Sequence, residues 1–253
     1  MENLYRIKEI NLTSMNDVLY KESFELFLKR TDEKSIIKRF IFENIPIHKN
    51  MDFLDIGGGD GSLASMISKS VGTTLVIEPN KKFYRQLLKR KMIRARNEKW
   101  ENARMNNSFD FILAAYVTTY FPKTKRKQLI KKMYDSLRPG GFILILSIDS
   151  TRGSWRKIHT YFYKLMGYAH KSSDDAVKQI AREYKATSKS FKTHVIAKNT
   201  NEMLKILGFD FYKYPKYFPK FSEHLRKFLK RYLDEDKSVT LEMVHNAYII
   251  TKK

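Results

Sequence analysis

Phe53-Leu54-Asp55-Ile56-Gly57-Gly58-Gly59-Asp60-Gly61 is the stretch on which the fold turns. A short apolar run carrying one carboxylate leads into glycines at the second, fourth and sixth positions after Asp55, and Ser62 to Ser70 then reads as a helix. Glycine has no Cβ, so such a loop turns tightly and lets the backbone approach a ligand. The helix that follows aims its free N–H groups at the same place. Strand, glycine turn and helix in that order open a nucleotide-binding α/β fold. Thr74-Leu75-Val76-Ile77 reads as the second strand and ends at Glu78, 23 positions after Asp55, where such folds place the acid that bonds ribose hydroxyls.

The alternation continues outward from this unit. A charged helix runs from Lys81 to Arg90, Phe109 to Ala115 is a strand, and Lys125 to Leu137 is a helix stopped by Arg138-Pro139-Gly140-Gly141. Phe142 to Ile148 is the most apolar strand; an unbroken apolar run is buried on both faces, which predicts a place near the middle of the sheet. Residues 151 to about 198 are basic and aromatic-rich, with helical stretches and no clear strand, and read as an inserted cap. Asn199 to Leu207 reads as a helix ended by Gly208, Phe209 to Tyr212 as a strand, Phe221 to Leu233 as a basic amphipathic helix and Val244 to Ile250 as the last strand. Upstream, Phe24, Phe27 and Leu28, then Ile36, Ile37, Phe40 and Ile41, have the spacing of one helical face. They predict two short helices, the second capped by Thr31 or Asp32 and closed at Asn44-Ile45-Pro46. The expected fold is therefore α/β: a Rossmann-like, doubly wound, mostly parallel seven-stranded sheet with N-terminal helices and a helical cap insertion. Its expected divisions are a substrate-covering segment over 1–45, a cofactor-binding core over 46–150, the cap over 151–198, and the remaining core with its basic helix over 199–253.

Composition narrows the chemistry. There is no cysteine, hence no disulfide framework, thiolate zinc site or cysteine nucleophile, and no metal site is expected. No apolar run approaches the roughly 20 residues of a membrane span. Met1 to Arg6 has an early charge and no apolar stretch before a small-residue cleavage site, so a cytoplasmic location is expected. The formal net charge of +22 would attract phosphate backbones, anionic surfaces or acidic small molecules. Abundant Lys, Asn and Ile with scarce Ala are equally what A- and T-rich coding produces.

Two cofactor classes use a loop of this kind. The dinucleotide fingerprint G-x-G-x-x-G/A fails from Gly57, where its last position is Ser62, and fits only from Gly59 to Ala64, late after the strand. S-adenosylmethionine has no pyrophosphate, so its loop wraps the methionine part and acids do most of the recognition. Residues 50 to 150 resemble the class I S-adenosylmethionine-dependent methyltransferases. Phe53 to Gly61 is similar to that family's first motif, Val76-Ile77-Glu78-Pro79 to its second-strand acid, and Leu137-Arg138-Pro139-Gly140-Gly141 to its Leu-Lys-Pro-Gly-Gly turn. The resemblance implies S-adenosylmethionine held by Asp55, Gly57, Gly59, Gly61, Glu78 and Ala115. Glu98, eleven positions before Phe109, stands where the family bonds the adenine amino group, and Trp100 either covers the adenine face or is a core aromatic.

A narrower resemblance, to histamine N-methyltransferase and its small-molecule relatives, rests on Tyr20-Lys21-Glu22-Ser23-Phe24, Phe27-Leu28, Glu33, the glycine loop and Gly153-Ser154-Trp155. It implies that Glu33 helps bind a substrate amine and that Tyr116 falls where that enzyme has a substrate-contacting glutamine. The other reading of Glu33 is an exposed acid stabilised by a helix dipole. Tyr116, Thr119 and Tyr120 follow the fourth strand at the carboxyl edge, where open α/β sheets bind ligands. Tyr116 and Tyr120 are the expected catalytic residues, with Glu33, Thr119 and Trp155 on the substrate. Methyl transfer is an in-line displacement in which positioning supplies much of the rate, and His159 and His245 rank low as bases. The expected reaction is methylation of a nitrogen or oxygen of a small molecule. The rival is RNA methylation, suggested by 19 Lys and Arg against 6 Asp and Glu in residues 151–231. Against it stand the missing cysteine and the missing Asn/Asp-Pro-Pro-Tyr/Phe motif. A non-catalytic cofactor sensor is the third reading. The oligomeric state has no signal in the sequence.

Overall fold

Buried side chains alternate along the strands, and that alternation sorts the sheet's two faces. The computed structural model describes residues 18–105, 108–169, 174–212 and 214–253; Met1 to Arg6, read above for a leader, lies outside them. In chain order the elements are α1 (Val18–Arg30), α2 (Glu33–Asn44), β1 (Asp52–Ile56), α3 (Ser62–Ser68), β2 (Thr73–Ile77), α4 (Lys81–Leu87), β3 (Arg94–Arg96), β4 (Phe109–Ala115), α5 (Arg126–Asp135) and β5 (Leu137–Ile148). There follow α6 (Ser154–Leu165), α7 (Asp174–Glu183), β6 (Thr187–Ala197), α8 (Thr200–Phe211), α9 (Tyr217–Lys220), α10 (Ser222–Leu229) and β7 (Val239–Thr251). Leu54, Ile56, Ile112, Ala114, Ile143 and Ile145 pack with α5 and α7 residues such as Ile130, Met133 and Val177. Their neighbours in sequence, Phe53, Phe111, Leu113, Leu144 and Leu146, pack with Ile37, Ile41, Ala64 and Ile67 of α2 and α3. With helices burying both faces, the central strands have to be apolar throughout.

The sheet order is β3-β2-β1-β4-β5-β7-β6. Neighbours from β3 to β5 pair in parallel, and β7 runs antiparallel to β5. The doubly wound, mostly parallel seven-stranded sheet is as the sequence predicts, and Phe142–Ile148 lies in an interior strand. The winding reverses between β1 and β4, which puts a crevice at their carboxyl ends. At the opposite edge, Arg138 bonds Asp52 of β1 and Asp110 of β4, each at 2.6 Å. The Pro139-Gly140-Gly141 turn lies within β5, as an irregularity in its pairing with β4 rather than a break before the strand.

Two compact units divide the chain. The sheet unit comprises 32–157, 170–194 and 242–253. A buried polar cluster sits in it: Asp174, 2 % exposed, accepts from Ser147 Oγ, from Asn246 Nδ2 at 2.8 Å and from the Tyr248 hydroxyl at 2.8 Å. The other unit comprises the described residues up to 31 together with 158–169 and 195–241, and is built mainly of helices. There α1 packs on α8, and Phe162 lies 4.1 Å from Phe211, ring centre to ring centre.

Four local expectations are corrected. Phe209 to Tyr212 is not a strand: α8 continues to Phe211, with Phe209 packed on Phe24 and Phe27. Gly208 does not end that helix; a Cβ there would lie 2.8 Å from Ser23 Oγ, so the glycine lets α1 approach. Two strands go unread in the sequence, the three-residue β3 and β6, the latter inside the stretch read as helical. Thr193, Val195 and Ala197 are buried while Lys192, His194 and Ile196 are not, a solvated edge pattern with little apolar signal. Asp32 precedes α2 but makes no capping bond; its carboxylate takes the His194 N–H at 2.7 Å and lies 3.2 Å from the ring Nδ1.

Candidate active site

The glycine loop owes its shape to positive φ at Gly57 (72°), Gly59 (55°) and Gly61 (70°), a region that side chains with a Cβ rarely enter. A Cβ on Gly57 would lie 2.7 Å from Val117, and one on Gly61 would press on the Leu87 side chain, so neighbours would have to shift as well. At Gly59 nothing lies within 4 Å of where a Cβ would be: the loop opens there. Arg90 clamps the loop, giving its Nε–H to the Asp60 carbonyl at 3.0 Å and a guanidinium N–H to Ser65 Oγ at 2.8 Å. Lys34 of α2 holds both Asp60 carboxylate oxygens at 3.0 Å.

Two buried carboxylates flank the loop. Glu78 accepts the Gly59 N–H at 2.9 Å and the Asn80 N–H at 2.7 Å, while Asn97 gives its amide to the Glu78 carbonyl at 2.9 Å. Burial raises the Glu78 carboxyl above its ordinary range, against the pull of those two N–H groups. Asp55 is pushed up to about 7, by burial first and then by the charges of Glu78 and Asp60. With Asp60 already held by Lys34, the two buried acids Glu78 and Asp55 disfavour a pyrophosphate and favour a ligand that brings positive charge and hydroxyl donors. The sulfonium, ammonium and ribose of S-adenosylmethionine fit that set.

Asp55 yields a pH prediction. A carboxyl whose folded pKa lies above its unfolded one holds its proton more tightly when folded, so this contribution to stability is full at low pH and is lost as pH rises from about 4 to about 7. Between pH 5 and 8 the loss is roughly 2–3 kcal/mol. Urea unfolding at the two pH values is expected to show a larger drop for the wild type than for Asp55→Asn. Equal drops would contradict the assignment.

At the end of β4, Tyr116 takes φ 60°, unusual for an aromatic residue and a form of strain that gathers at functional sites. Its hydroxyl bonds Glu33, the first residue of α2, and lies 2.6 Å from His245 Nδ1. His245 Nε2 is 2.6 Å from Thr193 Oγ1. The loop glycines, Asp55, Glu78, Ala115, Tyr116 and Glu33 therefore gather around the carboxyl ends of β1, β2 and β4. Glu98, 3.7 Å from Arg96, follows the adjacent β3. Thr119 and Tyr120 are exposed on the short helical turn after Tyr116. Trp155, 4 % exposed, lies between Ser154, which bonds the Glu242 N–H, and Arg156, which bonds the Asp149 carbonyl. Trp100 is buried in the core, its indole N–H bonds the Leu129 carbonyl at 3.1 Å, and the Lys132 ammonium stands 4.5 Å from the ring centre. Sequence reading passed over Lys34, Arg90, Asn97 and Thr193, single polar residues with no motif around them.

Comparison with known proteins places the fold. Residues 53–141 match a family model described as a methyltransferase domain. No curated protein matches the chain. Among solved structures, YcgJ from Bacillus subtilis is 12 % identical, with TM-score 0.61 over 85 % of this chain and 97 % of its own. Phosphoethanolamine N-methyltransferase 2 of Haemonchus contortus, solved with phosphomonomethylethanolamine and S-adenosylhomocysteine, is 18 % identical, with TM-score 0.51 over 86 % of this chain and 51 % of its own. The [4+2]-cyclase SpnF is 10 % identical, with TM-score 0.51 over 85 % and 79 %. At these identities the likeness is one of fold.

Proposed function

We propose that this methyltransferase domain carries a methyl group from S-adenosylmethionine to a nitrogen or oxygen of a small molecule. The observation that carries the reading is the open glycine loop at Gly59 with Glu78 bonded to its backbone and Asp55 buried beside it. When bound, S-adenosylmethionine supplies an electrophilic methyl group on a sulfonium whose electron pair stays with sulfur as the acceptor's lone pair forms the new bond. Gly57, Gly59 and Gly61 shape the methionine side of the site, Glu78 takes the ribose hydroxyls, and Glu98 takes the adenine amino group.

Tyr116 forms the floor of the acceptor site and Glu33 receives the proton that the acceptor loses. Thr119, Tyr120 and Trp155 line it. A small amine, the class handled by the histamine N-methyltransferase group, suits the Glu33 charge. The row from Glu33 to Tyr116 is compact, whereas RNA needs a backbone-tracking basic groove. In α10, Arg226 is already paired with Glu223.

Labelled cofactor offered with a panel of small amines and phenols, and separately with total RNA, tests this. Label is expected in a small acceptor. RNA labelling that disappears on charge reversal at Arg226, Lys227 and Lys230 would overturn the small-molecule reading, and a salt-dependent loss of RNA affinity would accompany it.

A further inference from the structure

Tyr116 and His245 are 129 residues apart, and Thr193 and His245 are 52 apart, yet with Glu33 they form a single hydrogen-bonded row. His245 and Thr193 are both fully buried. Phe191 stacks on the imidazole with ring centres 4.9 Å apart and planes 16° from parallel, which fixes the ring's orientation.

The protons in this row have one consistent arrangement. A carboxylate only accepts, so the Tyr116 hydroxyl donates its hydrogen bond to Glu33. The phenol oxygen must then accept from His245, whose Nδ1 carries the hydrogen. A neutral imidazole has one N–H, so Nε2 accepts from the Thr193 hydroxyl. Burial lowers the His245 pKa to about 4, against the raising effect of Asp32, so the ring is neutral at pH 7. The reverse direction would leave Glu33 without the Tyr116 proton.

Tyr116 and Glu33 both adjoin the cofactor loop. Val117, next to Tyr116, abuts Gly57, and Lys34, next to Glu33, holds Asp60. We propose that His245 and Thr193 are positioning residues: their one-way row, Thr193 to His245 to Tyr116 to Glu33, orients the phenol and leaves Glu33 as the single charged end beside the cofactor loop. The inference rests on the proposed methyl transfer for its purpose, but the direction of the row does not depend on that activity.

Nitrogen NMR of the ¹⁵N-labelled chain at neutral pH reads that direction, with the His245 signals assigned by their loss in His245→Asn. The wild type is expected to show protonated Nδ1 and bare Nε2. Tyr116→Phe and Thr193→Val are each expected to shift the two nitrogens towards each other's values, and Thr193→Ser to restore the wild-type spectrum. With the acceptor labelled in the panel, Thr193→Val should lower kcat roughly tenfold, with S-adenosylhomocysteine affinity unchanged and kcat recovered in Thr193→Ser. An Nε2-protonated wild type, a tautomer indifferent to both variants, or a shifted tautomer with unchanged kcat would each overturn the proposal. Failure of the wild type to bind S-adenosylhomocysteine would instead defeat the proposed function and leave the row's direction to the NMR result.

Discussion

Glu78→Ala is expected to weaken S-adenosylmethionine binding by roughly 100-fold. The estimate takes one or two hydrogen bonds to a charged group at about 1.5–3 kcal/mol each. The carboxylate is buried and already oriented by the Gly59 and Asn80 N–H groups, so no entropy is spent in aiming it. Removing it also leaves those two donors without their acceptor, which loosens the loop itself. Glu78→Gln separates the two effects, because the amide oxygen can still take one backbone N–H while the charge is gone. Titration calorimetry on the three proteins measures the difference; an Ala variant that binds like the wild type would remove Glu78 from the cofactor site.

The largest loss of stability is expected at Asp174, far from that loop in sequence. Its carboxylate is the common acceptor for Ser147, Asn246 and Tyr248, three polar side chains from the neighbouring strands β5 and β7. Asp174→Ala strands these donors in the interior, at a cost of about 3–5 kcal/mol, or roughly 10 °C in melting temperature for a chain of this size. Asp174→Asn should lose less, since one oxygen still accepts. Thermal unfolding of both variants checks the order, and an Ala variant melting with the wild type would show that the cluster is not a stabilising one. Burial and the Asp174 hydrogen bond also raise the Tyr248 hydroxyl pKa, so this tyrosine stays a donor across the working pH range.

How much of this was legible in advance depends on the physical signal each part leaves. Asp55 with its three alternating glycines marks a strand, a turn of positive φ and a helix start, because glycine at such positions has few substitutes. The interior strands announced themselves by unbroken apolar runs, a consequence of helices on both faces. β6 left no such mark, since an edge strand rich in Lys and Ser reads like a loop, and the aromatic pair Phe209 and Phe211 imitated strand alternation while packing two faces of a helix. Trp100 illustrates a different limit: stacking on a ligand and burial in a core use the same ring, and only the Lys132 ammonium and the Leu129 carbonyl reveal its commitment to the core. The row through Thr193 and His245 joins residues from α2, the end of β4, β6 and β7, and no local pattern in one chain segment encodes a meeting of that kind.

The central claim is that the loop and its acids are built for S-adenosylmethionine rather than for a dinucleotide. Calorimetric titration of the wild-type chain with S-adenosylhomocysteine and, separately, with NAD tests it most directly. Binding of S-adenosylhomocysteine at one site per chain, with no measurable heat from NAD, is the predicted result; saturable binding of NAD with none of S-adenosylhomocysteine would contradict it.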